Sequence, residues 1–495
     1  MSKSENKIHS IKYNFLMNFL LKISSMLFPL ITYPYVSRIL MPEGIGKISF
    51  ASSIIAYFSM FAVLGVPTYG VKSAARVRDD KEALSRVVHE LMFIMLVMSV
   101  IVYLTLGFSL TIIDKFESNK TVIIVTSFQI ILNVIGVDWL YSGLEQYTYI
   151  TVRSVIFKLI GMLLMFMLVK DKDDVIVYAA ITVFATNGSY LLNFVRLRKF
   201  ITLRILGNYN FKRHIKPMLT FFAISIAVSI YTNLDTAMLG FMRNDYDVGI
   251  YNTAVKIKTI LVTLVASLGT VLLPRLTYYL ANDNVDEFNK TIKKSIGVVF
   301  FITVPIVAFF EMYASESILF LSGDGFLDAV LPMHLLLFNV ILSALANITG
   351  MQILIPSNKE KVYLLGVTAG AVLDFALNLI LIPRVGVMGA AIATVIAELS
   401  GLLIQIIYLK EYLINNVDLK NVAQVILCSA LSAYLAVLVK RIGIDFSIVK
   451  LALGAVAYFS TYSILMLIAH NKIAIDIFGQ IRSKVLIKGA NKLKG

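Results

Sequence analysis

Charged side chains lie inside long apolar stretches of this 495-residue chain. They are Lys22, Asp235, Lys256, Asp374 and Glu398. A charge at the centre of a membrane helix costs about 2.5–3.5 kcal/mol on insertion scales, so such residues are kept where they face a wet interior, an opposite charge or a polar ligand. Many apolar stretches with charges inside them predict a transporter rather than an anchor or a scaffold.

Polar side chains repeat at helical spacing in one of these stretches. The steps are three or four residues in the series Asn252, Lys256, Thr259 and Thr263. Such steps place the side chains on one helix face. Hydroxyls in membrane helices also bond their own backbone or a neighbouring helix, and this alternative stays open for each threonine. For Lys256 we favour a role in a polar cavity.

The other charged candidates divide into arginines and acids. Arg38, Arg153 and Arg275 lie near the ends of predicted helices, where anchoring at the membrane interface and contact with substrate are both open. The acidic residues Asp235, Asp374 and Glu398 either pair with a lysine or carry a coupling ion during transport. The sequence does not separate these two roles.

Composition excludes most soluble classes. The chain is 58% hydrophobic and 15% charged, which predicts that the bilayer is its solvent. The net charge of +15 comes from Lys and Arg in short loops, so it indicates topology and contact with anionic lipid rather than nucleic acid. One cysteine, Cys428, allows no disulfide within the chain. No P-loop pattern or metal-ligand spacing occurs, so we expect no enzyme and no metal.

Apolar runs of spanning length predict an all-α polytopic membrane protein with about 14 transmembrane helices. Their predicted bounds are 14–37, 47–70, 86–112, 121–143, 150–170, 174–196, 217–240, 249–275, 295–315, 328–352, 361–383, 386–410, 421–439 and 448–470. Basic residues cluster in the N-terminal segment, in the loops at 72–86 and 196–216, and in the tail at 482–494. The positive-inside rule then predicts that both termini are cytoplasmic.

The chain resembles itself at two places. The segment 44–51, which opens the second predicted helix, matches 247–254, which opens the eighth, with Gly46 at the position of Gly249. The segment 179–181 similarly matches 390–392. These matches predict two six-helix halves, 1–205 and 206–412, followed by two added helices and a basic cytoplasmic tail in 413–495. The halves of such transporters enclose the substrate path.

Several motifs resemble those of Wzx-type polysaccharide flippases. The motifs that show this resemblance are PYVSRIL at 34–40, PEGIG at 42–46, DWLYSGLE at 138–145, LDTAMLG at 234–240 and GAAIAT at 389–394. The resemblance covers about residues 12–412. It departs at two positions, with Asp374 where asparagine is more usual and Met41 where glycine is usual, and only the first suggests a difference in the cavity.

The resemblance implies membership of the flippase superfamily that also contains the MATE drug transporters, with a V-shaped bundle. The implied function is movement of undecaprenyl-diphosphate-linked oligosaccharide from the inner to the outer leaflet of the bacterial plasma membrane by alternating access. The diphosphate needs cations, for which Lys22, Arg38, Lys256 and Arg275 are candidates, and the sugar needs hydroxyl-rich walls. A polysaccharide polymerase and a chain-length regulator are implied partners, and a proton or sodium gradient is the implied energy source, with no cofactor.

Two other functions compete with this one. A MATE-type antiporter of small cations needs an acidic cavity, whereas the first and eighth predicted helices offer lysines. A membrane scaffold that transports nothing has no need for polar faces along its spanning helices. The sequence therefore favours the flippase.

Overall fold

The computed structural model describes residues 10–440, 447–476 and 478–479. Its regular secondary structure is helical, with no strand among these residues. The chain divides into two compact units, Met1–Asn252 and Thr253–Gly495. The predicted boundaries at 205–206 and 412–413 stay predictions. The topology prediction uses basic residues in the first nine positions and in the tail at 482–494. These residues lie outside the described residues.

The described part of the first unit contains ten complete helices and the start of an eleventh. Their bounds are α1 Ile11–Val63, α2 Val66–Arg76, α3 Lys81–Ile112, α4 Asp114–Ser118, α5 Lys120–Gly136, α6 Asp138–Gly143, α7 Tyr147–Leu168, α8 Val175–Val183, α9 Tyr190–Leu197, α10 Lys212–Met242 and α11 Asp245–Ala281. A π-helical turn, Phe184–Gly188, joins α8 to α9.

Among the residues described in the second unit are the rest of α11 and eight further helices. Their bounds are α12 Val285–Met312, α13 Ala314–Ser322, α14 Val330–Asn347, α15 Glu360–Val385, α16 Val387–Tyr408, α17 Lys410–Asn416, α18 Leu419–Lys440 and α19 Ser447–Ile468. A 3-10 turn, Asp324–Ala329, precedes α14, and a π-helical turn, Ile348–Leu354, follows it.

Twelve helical segments in the described residues are long and apolar enough to cross a bilayer. The difference from the predicted 14 has two sources. The segment Tyr13–Arg76 has 64 residues and contains both the first and the second predicted spans. Lys120–Gly136, at the fourth predicted span, is a shorter apolar helix. The chain is thus a multi-pass membrane protein, as predicted, with exposed Leu, Ile and Phe side chains on its outer helix faces.

In the structure, the helices that correspond to the first two predicted spans are separated by a single residue. Met41 has φ 57° and ψ 175°, which breaks α1 into the helices 11–40 and 42–63. Helix resumes at Pro42, whose fixed φ and missing N–H suit the first position of a helix. The helices therefore extend through most of the predicted loop at 38–46.

The first stretch of α1 packs in parallel on α7. Hydrogen bonds join Thr151 Oγ1 to the Met17 carbonyl at 2.9 Å, and Tyr35 Oη to the Val169 carbonyl at 2.8 Å. Both contacts link residues 134 positions apart, so the two helices run in the same direction in a constant register.

The two glycines of the internal repeat meet in the first unit. A Cβ on Gly46 would lie 1.7 Å from the Asp245 carbonyl oxygen, and a Cβ on Gly249 would lie 2.0 Å from the Pro42 carbonyl oxygen. Only glycine permits such an approach of backbone to backbone. The matching sequences thus form matching sides of one helix contact.

Candidate functional site

The accessible surface of the helix 11–40 carries both apolar and polar side chains. Leu16, Leu20 and Leu27 are exposed on one face. Lys22 and Ser25 are exposed about half a turn from the leucines at 100° per residue, and the exposed Phe15 lies on the side of Lys22, two turns before it. The leucine face suits lipid tails. The face with Lys22 needs water or a polar ligand in the membrane.

Lys158 of α7 reaches the same polar face. Its ammonium group donates to Ser25 Oγ at 2.6 Å and to Ser24 Oγ at 3.3 Å. Both serine hydroxyls donate to the Leu21 carbonyl, which leaves their lone pairs for the ammonium. Lys22 lies within one helical turn of both serines.

Two ammonium groups therefore share one polar face. Among the described residues, neither Lys22 nor Lys158 has a carboxylate within 4 Å. Two like charges in a membrane segment raise the free energy of the empty protein. An anionic ligand would lower it, so the arrangement is suited to binding one.

The turn between α10 and α11 brings two predicted residues together. Tyr251 Oη donates to the Asp235 carboxylate. The Asn252 amide lies 3.4 Å from Thr236 Oγ1 and donates to the Val248 carbonyl at 2.9 Å. Asp235 and Asn252 thus join the end of α10 to the start of α11. Their predicted roles in ion coupling and substrate binding stay predictions.

Three of the remaining candidates on α11, two threonines and an arginine, form hydrogen bonds within their own helix. The hydroxyls of Thr259 and Thr263 donate to carbonyls one turn earlier, at 2.8 and 2.7 Å, as is common in membrane helices. Both threonines are exposed, so their lone pairs stay accessible, whereas Lys256 is half-buried. Arg275 Nε donates to Tyr279 Oη at 2.6 Å.

Arg38 and Arg153 have different surroundings, although both lie near the ends of predicted helices. Arg38 is exposed at the end of the helix 11–40 and donates to the Pro34 carbonyl of that helix. Arg153 is buried and donates to the Asp138 carboxylate and to Ser189 Oγ. The interior of the first unit therefore encloses Arg153.

Asp374 lies within a close contact between α15 and α16. Gly366, Gly370, Asp374 and Asn378 recur every four residues and are all buried. A Cβ on Gly366 would lie 2.9 Å from the Gly401 carbonyl oxygen, and one on Gly370 would lie 3.0 Å from that of Ala397. The two helices therefore pack closely at these glycines, as is common where small residues line a contact between membrane helices.

Glu398 is buried on α16. The two acids thus occupy neighbouring helices of the second unit. The structure does not test their role as coupling groups.

Sequence reasoning missed Lys158. It lies inside the predicted span 150–170, so the criterion that selects Lys22 also selects Lys158. Of the predicted site residues, the first unit holds Lys22, Arg38, Asp235 and Asn252, and the second unit holds Lys256, Thr259, Thr263, Arg275, Asp374 and Glu398. In the described part of the chain, no three His, Cys, Asp or Glu side chains are grouped so that they could hold a metal ion.

Comparison with known sequences finds relatives that are named as a transporter and a flippase. A protein of Escherichia coli (strain K12) named as an O-antigen transporter is 27% identical over 399 residues, which cover 79% of this chain and 95% of that protein. The lipid II flippase MurJ of Bacillus subtilis (strain 168) is 26% identical over 188 residues, which cover 37% of this chain and 34% of that protein.

Comparison with solved structures supports the fold. Lipid II flippase MurJ in an inward closed conformation has a TM-score of 0.72 at 16% identity, with 92% of this chain and 100% of that chain covered. An inward-facing MATE transporter of the MOP superfamily has a TM-score of 0.57 at 14% identity, with 80% and 98% covered. The fold is the one these membrane transporters share.

A protein-family model also matches this chain. The model described as "Polysaccharide biosynthesis protein" matches residues 11–280, which is more than half of the chain. On this match, the chain belongs to the polysaccharide biosynthesis protein family.

Proposed function

We propose that this protein is a flippase that moves undecaprenyl-diphosphate-linked oligosaccharide repeat units from the inner to the outer leaflet of the bacterial plasma membrane. Family membership supports this proposal, as do relatives named as an O-antigen transporter and a lipid II flippase. The fold shared with MurJ and the MATE transporters is consistent with it.

The polar face that Lys22 and Lys158 share carries the proposal. A diphosphate offers several charged oxygens to two ammonium groups, and hydrogen bonds between charged partners are about twice as strong as neutral ones. The exposed leucines of the same helix give the undecaprenyl chain a path through lipid. The head group and the tail of one substrate thus match the polar and the apolar exposed side chains of one helix.

The transport cycle in this proposal is alternating access, in which the two halves rock and no covalent bond forms. Asp235, Asp374 and Glu398 are the candidates for coupling to a proton or sodium gradient. Both termini are cytoplasmic, since the basic loops at 72–86 and 196–216 then lie inside. A polysaccharide polymerase and a chain-length regulator are the proposed partners.

Complementation tests the function. We expect this chain to restore surface polysaccharide in a bacterium that lacks its own repeat-unit flippase and makes a matching sugar. The variant Lys22→Ala/Lys158→Ala loses two charge-assisted contacts, worth about 1.5–3 kcal/mol each, so we expect at least about tenfold less polymer at equal protein level. Lys410→Ala, an exposed lysine of α17, is the matched control. Normal polymer from the double variant would remove the lysine pair from the mechanism.

A MATE-type antiporter of small cations remains the runner-up. Its fold would be similar, but Asp374 and Glu398 are buried in helix contacts, while the exposed charges on the polar face of α1 are positive. Efflux of ethidium from cells that produce the chain separates the two functions. Efflux without any restored polysaccharide would favour the antiporter.

A further inference from the structure

A polar cavity of about 420 Å³ lies at one end of the first unit. Its wall includes Met41 at the break in α1, the residues around the start of α5 and those around the start of α8. Small-molecule sites have volumes of about 300–1,000 Å³, so the space suits one or two sugar rings. None of the residues predicted from the sequence as site residues lines this cavity.

Three helix starts converge on the cavity. The helix 42–63 contributes Gly44, α5 contributes Thr121 and α8 contributes Ile176, each from its first turn. The first N–H groups of a helix lack partners within it and carry partial positive charge, so they attract anions. Neither α5 nor α8 has a side-chain cap.

The two residues in the capping positions bond elsewhere. Asp174 Oδ2 accepts from the backbone N–H groups of Lys170 and Asp171, at 2.8 and 2.9 Å, and these bonds hold the pKa of Asp174 below its usual range. Asn119 donates from Nδ2 to the Lys115 carbonyl at 3.3 Å. Asn119 is only 3% exposed, and its Oδ1 has no hydrogen-bond partner. A buried acceptor without a partner needs an explanation, and a ligand donor supplies one.

Charged side chains of both signs line the same space. They are Lys47, Lys120, Lys172, Glu43, Glu117 and Asp173. None of the six forms an ion pair within 4 Å with another residue that the structure describes. The ammonium groups can bind an anionic group, and the carboxylates can accept from hydroxyls.

From this arrangement we infer a second binding site, which takes a saccharide that carries an acidic group, such as a hexuronate. The three lysines and the helix starts bind its carboxylate, and the acidic side chains and Asn119 accept hydrogen bonds from its hydroxyls. The strained backbone of Met41 lies in the wall, and such strain concentrates at functional sites.

The place of this sugar in transport rests on the proposed function. With both termini in the cytoplasm, the end of the helix 11–40 faces outward, because that helix crosses the membrane once from the N-terminal side. The cavity would then hold part of the oligosaccharide on the outer side, before release. The transported unit would include an acidic sugar.

Binding of free sugars to the full chain in phosphatidylcholine nanodiscs tests the site. We expect saturation-transfer NMR to detect D-glucuronate, with D-glucose at least about tenfold weaker, since one charge-assisted contact is worth about 1.5–3 kcal/mol. Lys120→Ala/Lys172→Ala should weaken glucuronate binding by a similar factor, and Lys410→Ala should not change it. Asn119→Asp, which adds a negative charge in the wall, should weaken glucuronate binding without removing a lysine.

Three outcomes of the experiment in phosphatidylcholine nanodiscs would overturn the inference. They are no glucuronate binding by the unchanged protein, equal binding of glucose and glucuronate, and binding that the lysine variant leaves intact. Loss of glucuronate binding when the nanodiscs contain phosphatidylglycerol would identify a lipid head group as the occupant and also overturn it. Because no transport is involved, glucuronate binding by a protein that fails the complementation test would contradict the proposed function alone.

Discussion

Met41 occupies a backbone region that is nearly restricted to glycine, with φ 57° and ψ 175°. The family resemblance expects glycine at this position, and the sequence alone gave no reason to regard methionine there as costly. The structure supplies the reason, because the chain breaks between two helices at this one residue. A side chain in this region costs about 1–3 kcal/mol.

Replacing Met41 with glycine should therefore stabilise the protein. We expect the free energy of unfolding of Met41→Gly to rise by about 1–3 kcal/mol, measured by thermal unfolding in detergent. Met167→Gly, at an exposed position in the last turn of α7, is the control and should not raise the free energy of unfolding. An unchanged or lower stability of Met41→Gly would show that the position is not strained.

Glu90 of α3 is the centre of a buried polar cluster. Its carboxylate accepts from Arg213 at 2.6 Å, lies 2.6 Å from His214 Nε2, and accepts from the Asn210 N–H at 2.5 Å. The Glu90 side chain is 1% exposed. The cluster fixes the segment before α10 against α3.

Loss of this carboxylate should destabilise the first unit. Because Arg213 is 47% exposed, Glu90→Ala leaves no buried charge, and we expect a loss of about 1–3 kcal/mol in thermal unfolding from the hydrogen bonds that Glu90 accepts. Glu82→Ala is the matched control, because Glu82 lies on the same helix and pairs with Arg86 in an exposed pair that is worth about 0–1 kcal/mol. Equal losses for the two variants would mean that Glu90 contributes no more than a surface pair.

Lys158 shows what the sequence could not give at the residue scale. Its charge inside an apolar run is visible in the sequence, but its link to Ser24 and Ser25 depends on the parallel register of α1 on α7. Residues more than 130 positions apart come together through helix packing, which the local pattern does not encode. Lys22 was predictable because its polar neighbours lie on its own helix.

At the scale of elements, hydropathy predicted the helices but not their breaks. The predicted span 121–143 is divided at Val137, which has φ 38°, into α5 and α6. The predicted span 328–352 runs into the π-helical turn Ile348–Leu354. Such breaks change backbone dihedrals without changing the apolar run, so the 3.6-residue pattern continues across them.

The contact of α15 with α16 was predictable from glycine spacing, and it supports a test. Gly366→Val should destabilise the second unit by about 1–3 kcal/mol, because the added atoms would meet the Gly401 backbone. Gly107→Val in α3 is the control, since no atom lies within 4 Å of a Cβ there. Thermal unfolding of both variants checks this, and similar stability of the two would contradict a tight contact at Gly366.

At the scale of the whole molecule, the internal repeat has a physical basis in one contact. The Gly46 backbone meets Asp245, and the Gly249 backbone meets Pro42, so equivalent segments face each other. The sequence identified these glycines as equivalent but could not show that they touch. The proposed function would give the lysine face of α1 a role in transport of a lipid-linked glycan.

The most direct measurement of that function is flipping in a purified system. Proteoliposomes would carry undecaprenyl-diphosphate-linked oligosaccharide in both leaflets, and a glycosidase added outside would report how fast the inner pool becomes accessible. We predict that the chain makes the inner pool accessible and that Lys22→Ala/Lys158→Ala slows this at least about tenfold, while Lys410→Ala does not. Accessibility no faster than in vesicles without protein would contradict the account.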